Sequence, residues 1–299
     1  MIPKPNGMPI PELGTVDSRA YAYAYLIGRT GDVPKDFPAA VVERFSVGLF
    51  LPQELAGRFK EPAYPARVLL LSENEAELTL HIHPTRGEPP SRIAMCDVRV
   101  VNQNRFLLDC RFGFDLAARA EIGRKISRSC DIQHNGRDSD AVGMFLRQLR
   151  SHLLLPTCAD PGSLATIHFG DPLSFKFAGY EQEELVEGEV VHARLFIAEQ
   201  EKRERRWLGS VGSWTPADYL AITNRRLIWM TDRDGGYRQP FGVRCSFSPI
   251  MFLDNLNLQD DGWLHVFLAN DIDWRLRLPS GHKSAAREFI KEGQLYHSH

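Results

Sequence analysis

With 299 residues the chain is long for one domain and ample for two, each large enough to bury its own core. Hydrophobic residues at 43% and charged residues at 25% exclude wholesale disorder. Basic and acidic residues number 36 and 38, a formal net charge of −2, so the basic excess that marks general affinity for nucleic acid or an anionic membrane is missing.

Residues 1 to 38 hold many prolines (Pro3, Pro5, Pro9, Pro11, Pro34, Pro38), interrupted by Tyr21-Ala22-Tyr23-Ala24-Tyr25-Leu26-Ile27. That period of two predicts a strand with three tyrosines on one face, packed on the body or on another chain. Phe50 to Leu55, with Pro52 inside, predicts a short helix and completes an N-terminal extension of residues 1–60.

A first module is expected over residues 61–155. Val68–Leu71 reads as a buried strand, Ser72–Glu75 as a turn, Leu78–His83 as an alternating strand and Pro84–Pro90 as a loop. Ile93–Val101, Arg105–Phe114 and Ile126–Gln133 are further strand-like runs. After the turn His134-Asn135-Gly136, Asp138 or Ser139 offers a helix N-cap. Val142, Phe145, Leu146, Leu149 and Leu153 then form one helical stripe, with Arg147 and Arg150 on the other side and Pro156 as the stop.

Residues 156–184 read as a linker, and residues 185–299 as a second module. Its expected strands are Glu189–Ala198, Tyr219–Thr223, Leu227–Thr231, Val243–Phe247, Ile250–Leu258, Trp263–Ala269 and Trp274–Leu278. Asn224-Arg225-Arg226 and Asp234-Gly235-Gly236 are turns, and a helix through Ala285, Phe289 and Ile290 ends the chain. Val68–Ser72 aligns with Leu220–Asn224, and Leu78–Leu80 with Leu227–Trp229, which predicts an internal duplication. The expected fold is therefore mainly β, in the broad α+β sense: two bent antiparallel sheets or barrels, each closed by a C-terminal helix.

The stretch Tyr219-Leu220-Ala221-Ile222-Thr223-Asn224-Arg225-Arg226-Leu227-Ile228-Trp229 resembles the hairpin of bacterial pleckstrin-homology (PH)-like and GRAM-like domains. Glu187-Gly188-Glu189 stands where that family has an acidic-glycine start to its first strand. The resemblance covers residues 185–293; over 60–154 it is weaker, because Ser72-Glu73-Asn74-Glu75 replaces the Thr-Asn-Arg-Arg turn. It implies a tandem scaffold that recognises a protein or peptide. Arg226 itself reads as structural, bonding strand carbonyls or a carboxylate near the turn, with an exposed anion contact as the alternative.

In that family the loop joining the first two strands grips lipid phosphates, and Glu199–Arg206 occupies its place. Lys202, Arg203, Arg205 and Arg206 are thus the candidate ligand-binding residues, and peripheral binding of anionic lipid is the alternative function. Three interleaved glutamates reduce the segment to a net +1, which favours a self-paired, solvated loop.

Other chemistries find little footing. His81-x-His83 shares one strand face but has no third metal ligand in view, and Tyr296-His297-Ser298-His299 is a tail. Asp232–Gly236 lacks calcium-loop spacing, and Gly209-Ser210-Val211-Gly212-Ser213 is no nucleophile elbow. Trp207, Trp214, Trp229, Trp263 and Trp274 read mostly as core of the second module. Cys96, Cys110, Cys130, Cys158 and Cys245 form no C-x-x-C pair and read as reduced cysteines. The N-terminus carries no signal-like apolar run and no stretch is long enough to span a membrane, so a cytoplasmic protein is expected. The expectation is a non-enzymatic protein with no cofactor, no metal and no nucleic-acid partner, its oligomeric state open.

Overall fold

The computed structural model describes residues 23–34, 37, 45–55, 62–64, 66–74, 77–84, 91–105, 110–121, 124–154, 166–206, 209–232, 242–269 and 272–297. The chain divides into two compact units, Met1–Asp97 with Gln133–Leu149, and Val98–Ile132 with Arg150–His299. Each is mainly β, and among the described residues no sheet closes into a barrel.

In the first unit the strands are β1 (Tyr25–Ile27), β2 (Val47–Leu51), β3 (Glu54–Leu55), β4 (Pro62–Tyr64), β5 (Arg67–Asn74), β6 (Glu77–Pro84) and β7 (Ser91–Ala94). They form a five-stranded sheet in the order β1-β2-β5-β6-β7, with β3 and β4 paired separately. The apolar run in β5 needs cover on both faces, and Val68 to Leu71 are all buried. Val68 and Leu70 join Ile27, Val33, Phe37, Phe50 and Ala66 in one core cluster.

Three sequence expectations change here. Residues 50–55 are not helical: Phe50 and Leu51 end β2, which pairs along its whole length with β5, and Glu54–Leu55 form β3 after the break at Pro52-Gln53. The run 93–101 is broken by a 3-10 turn at Met95–Asp97, which separates β7 from the next strand. Among the described residues of the tyrosine alternation, Tyr25–Ile27 are strand and Tyr23 is exposed; Tyr21 and Ala22 lie outside the described residues.

Helix α1 (Ser139–Leu153) buries Val142, Phe145, Leu146 and Leu149 completely, as its periodicity predicts. Its entry differs from expectation. A 3-10 turn at Gly136–Asp138 comes first, the Asn135 side chain accepts from Arg137 N, and Asp138 Oδ1 accepts the Ala24 amide at 2.9 Å.

The second unit begins with β8 (Val98–Arg105), β9 (Cys110–Glu121) and β10 (Arg124–His134). It continues with β11 (Ile167–Gly170), α2 (Phe175–Glu184), β12 (Val191–Ile197), β13 (Gln200–Arg206), β14 (Gly209–Thr215), β15 (Asp218–Thr223), β16 (Arg226–Thr231) and β17 (Val243–Pro249). The strands β18 (Leu253–Leu258), β19 (Trp263–Leu268) and β20 (Ile272–Arg277) and helix α3 (Lys283–His297) complete it. Eight strands run in the order β10-β9-β8-β17-β16-β15-β12-β11, and β18-β19-β20 form a second sheet. Residues 98–132, read from sequence as part of the first module, thus enter a sheet with β17, from Val243↔Arg105 to Phe247↔Val101. No local pattern encodes such a pairing, since its partners lie far apart in the chain.

Helix α3 lies against β18, β12 and β11. Ala286 and Phe289 are fully buried in one cluster with Leu220, Ile222, Leu256 and Leu264 of the sheets. Gly293 faces the same cluster closely: a Cβ there would come within 2.7 Å of Leu256 Cδ1 and 2.8 Å of Ile222 Cδ1, so those side-chain ends would have to shift.

The expected linker contains β11 and α2. Both escaped the periodicity reading because β11 is short and largely exposed, while α2 buries Glu181 and Glu184 beside Phe177 in place of an apolar stripe. At the end of β11, Gly170 has φ +85°, and a Cβ would meet Phe196 O at 2.2 Å. Among the described residues no helix is long and apolar enough to cross a membrane.

Candidate functional site

The turn between β15 and β16 is built by the residues that carry the PH-like resemblance. Gly188 takes φ +73°, a conformation glycine adopts without strain. Asn224 Oδ1 accepts from Val190 N at 3.0 Å, and its Nδ2 donates to Gly188 O at 3.3 Å. Arg225 N donates to Thr223 Oγ1 at 3.1 Å. Arg226 is fully buried, its Nε donating to Glu189 Oε1 at 2.8 Å and its Nη2 to Glu189 Oε2 at 2.9 Å. Thr223 Oγ1 also donates to Glu189 Oε1, at 2.7 Å, and Val186 N to Glu189 Oε2 at 3.0 Å. This bidentate pair turns inward and offers no exposed cation.

Further buried charges adjoin it. Arg150, assigned from helical spacing to the solvent side of α1, is 2% exposed. Its Nη2 lies 2.6 Å from Glu184 Oε2, an ion-pair contact away from the hydrogen-bonding angle, and donates to Gln103 Oε1 at 3.2 Å. Glu184 Oε1 receives Arg105 Nη2 at 2.7 Å, and Arg105 Nη1 reaches Glu183 Oε2 at 2.6 Å. Arg150 and Arg226 both approach the Phe247 ring, at 5.5 and 4.8 Å from its centroid. Three arginines face three glutamates, so the centre is neutral as a set. It is a buried, charge-compensated ionic cluster in which Arg150 Nε, Arg226 Nη1 and Glu184 Oε2 have no hydrogen-bond partner. Cys245 lies in the same region; burial, then Glu184, pushes its thiol up to about 12 against the opposing pull of the arginines, so it is no nucleophile near neutral pH.

Lys202, Arg203, Arg205 and Arg206 lie on a strand, not in the expected loop. β13 pairs with β14 from Gln200↔Thr215 to Arg206↔Gly209. That register continues the β12–β15 ladder, whose last pair is Ile197↔Asp218. The two ladders therefore make one long hairpin, and its outer part, seven residues per strand, spans roughly 20 Å at about 3.3 Å per residue. Strand alternation puts Lys202, Glu204 and Arg206 at one parity and Glu201, Arg203 and Arg205 at the other. The four basic residues are thus divided two and two between the alternate positions of the strand. Both outer edges of this ribbon lack a ladder partner among the described residues.

Residues 200–206 carry no period-two pattern, so nothing in the local sequence distinguishes this strand from a charged loop. His81 and His83 do share a face, with rings parallel and 6.2 Å apart, and His81 Nε2 lies 2.8 Å from buried Ser72 Oγ. Among the described residues no three His, Cys, Asp or Glu side chains could hold a metal ion.

Burial, then Arg92, lowers the pKa of both imidazoles below 6.5, and His83 adds to the effect on His81. The unfolded chain thus binds more protons than the folded one as pH falls below 6.5. The stability these neutral rings contribute is complete above that pH and lost as pH drops through their folded pKa values. Protection factors of β5 and β6 amides should fall on acidification from pH 7.5 to 5.5. In a His81→Gln/His83→Gln variant the same shift should flatten.

No protein-family model matches this chain, and neither a curated protein nor a solved structure is significantly similar to it.

Proposed function

We propose that the chain is a non-enzymatic binding protein built from two copies of a PH-like module, and that it recognises an extended protein or peptide segment by strand addition to the β13–β14 arm. The observation that carries this reading is the arm itself: a two-stranded ribbon with both edges unpaired among the described residues. An isolated ribbon is marginally stable in water, and an unpaired edge is a template for another strand. The β14 edge, Gly209-Ser210-Val211-Gly212-Ser213-Trp214-Thr215, has none of the charges or prolines that usually blunt such an edge.

The duplication is supported by element order. β2 and β5 carry the outer pair β3–β4 in continuous register, from Leu51↔Arg67 to Glu54↔Tyr64, as β12 and β15 carry β13–β14. β6 and β7 follow, then the 3-10 turn Met95–Asp97, three strands, the 3-10 turn Gly136–Asp138 and α1. β16 and β17, the turn Ile250–Phe252, β18 to β20, the turn Ser280–His282 and α3 repeat that order. An antiparallel meander followed by a helix packed over it is what the PH-like resemblance implies, and the Glu189–Arg226 pair gives the shared motif residues a folding role.

A photo-crosslinker placed at Ser210 in the full chain tests the arm in native lysate. Protein adducts at Ser210, lost when residues 200–215 are replaced by a two-residue Asn-Gly turn, are the expected result. The competing reading is anionic lipid, favoured by the net +2 charge of β13. Absence of protein adducts, with salt-sensitive flotation on phosphatidylserine vesicles abolished by changing Lys202, Arg203, Arg205 and Arg206 to Ala, would replace the first reading by the second.

A further inference from the structure

β11 fills the edge of β12 and ends the eight-stranded sheet, and α3 lies against both strands. Its anchorage is slight. Ile167, His168 and Gly170 are exposed, and of its four residues only Phe169 packs on the core cluster, its ring edge-on to Phe289 of α3. Gly170 lies against Phe196 O with no room for a Cβ. Past the ladder, Asp171 Oδ2 accepts the Ala198 amide at 2.8 Å and lies 2.9 Å from Nε2 of His282, in the 3-10 turn before α3. The groove between β12 and α3 therefore selects three successive residues: an aromatic ring, a glycine and a carboxylate.

The first unit fills the corresponding edge in another way. β1 lies beside β2, the counterpart of β12 in the proposed duplication, and is tied by Ala24 N to Asp138 in the turn before α1. Yet β1 runs antiparallel to β2, whereas β11 runs parallel to β12. A single duplicated strand would keep one direction. The repeated feature is thus the acceptor edge, and each filling strand is an addition to it. A sheet edge can pair with strands of either direction.

We propose that the β12 edge beside α3 is a strand-binding site held in cis by β11, and that its partner is an extended peptide segment carrying Phe-Gly-Asp, which displaces β11 and takes its place. The partner repeats contacts that the groove already makes: its ring on Phe289, its glycine under Phe196 O, its carboxylate on Ala198 N and His282. Exchange exposes little apolar surface, because one ring is all that β11 contributes to the core cluster. The comparison between copies rests on the proposed duplication. The site and its test rest on the second unit alone, and not on the arm.

The probe is a fluorescein-labelled peptide of residues 165–172, titrated with the full chain and read by fluorescence anisotropy. In a Phe169→Ala/Gly170→Ala chain the cis strand loses its anchor and its fit. The peptide should bind this chain at least about tenfold more tightly than the wild type, where β11 competes. Adding His282→Gln should weaken that binding, and a peptide carrying Phe169→Ala should lose it. Equal affinity for the two chains, or for the two peptides, would overturn the proposal. So would absence of binding to a double variant whose far-UV circular dichroism matches the wild type. Where the double variant fails to fold, the wild-type chain decides: excess peptide with benzoylphenylalanine in place of Phe169 should give photo-adducts within 191–197 and 283–297, and adducts elsewhere, or none, would overturn the site. Wild-type dimers that the peptide dissociates would assign the groove to β11 of a second copy and overturn the peptide partner. None of these outcomes changes the arm adducts expected at Ser210.

Discussion

Replacing Arg226 by Ala is expected to destabilise the second unit by about 3–5 kcal/mol, the cost of stranding one member of a buried ion pair. Glu189 would remain buried with its carboxylate bonded only to Thr223 Oγ1 and Val186 N. The Arg226→Met/Glu189→Gln double variant should recover much of that loss, because the uncompensated charge goes with the pair. Urea unfolding followed by tryptophan fluorescence reads this directly, since all five tryptophans lie in the second unit. Equal losses in the single and double variants would mean that Arg226 acts through packing on Phe247 and not through its charge.

The same pair has a pH signature. Burial opposes ionisation of Glu189, but Arg226 and the hydrogen bonds outweigh it and hold the carboxyl below its usual value of 4.5. A depressed folded pKa stabilises the fold above the unfolded value, and the contribution is lost as pH falls through the folded one. The Arg226→Met/Glu189→Gln variant should therefore lose less stability than the wild type on acidification below about pH 4.5.

Phe289→Ala should cost the second unit about 3–5 kcal/mol, the range for emptying a buried aromatic site. Phe289 is fully buried on the inner face of α3, and its ring meets Phe169 edge-on with centroids 6.3 Å apart. Phe289→Leu keeps most of the volume and should cost less than about 1.5 kcal/mol. Matching losses for the two substitutions, measured by urea unfolding, would show that α3 does not seal the sheets by filling volume there.

The elements most legible in the sequence were those whose own residues repeat with a clear period. Val142, Phe145, Leu146 and Leu149 mark α1 because each meets the same apolar layer once per turn. Thr223 to Arg226 mark a turn because the side chains that close it are adjacent in sequence. Arg150 and α2 were misread for one reason: a helix face that buries arginine or glutamate is indistinguishable, by hydrophobic spacing, from a face turned to water. Their charges are compensated by one another, Arg150 against Glu184, and by residues brought in from β8, β12 and β15, such as Gln103, Arg105, Arg194 and Tyr219.

What the amino-acid order determined by itself was local: the mainly β character, the apolar stripes of α1 and α3, the Thr223–Arg226 turn, and the near-balance of charge. These depend on backbone propensity and on contacts within a few residues. The tertiary structure alone decided that 98–132 shares a sheet with β17, that the charged run at 200–206 is an arm in ladder with 209–215, and that β7 and β18 end their sheets. Main-chain hydrogen bonds between distant strands carry no side-chain signature, so their pairing is settled only when the whole chain folds.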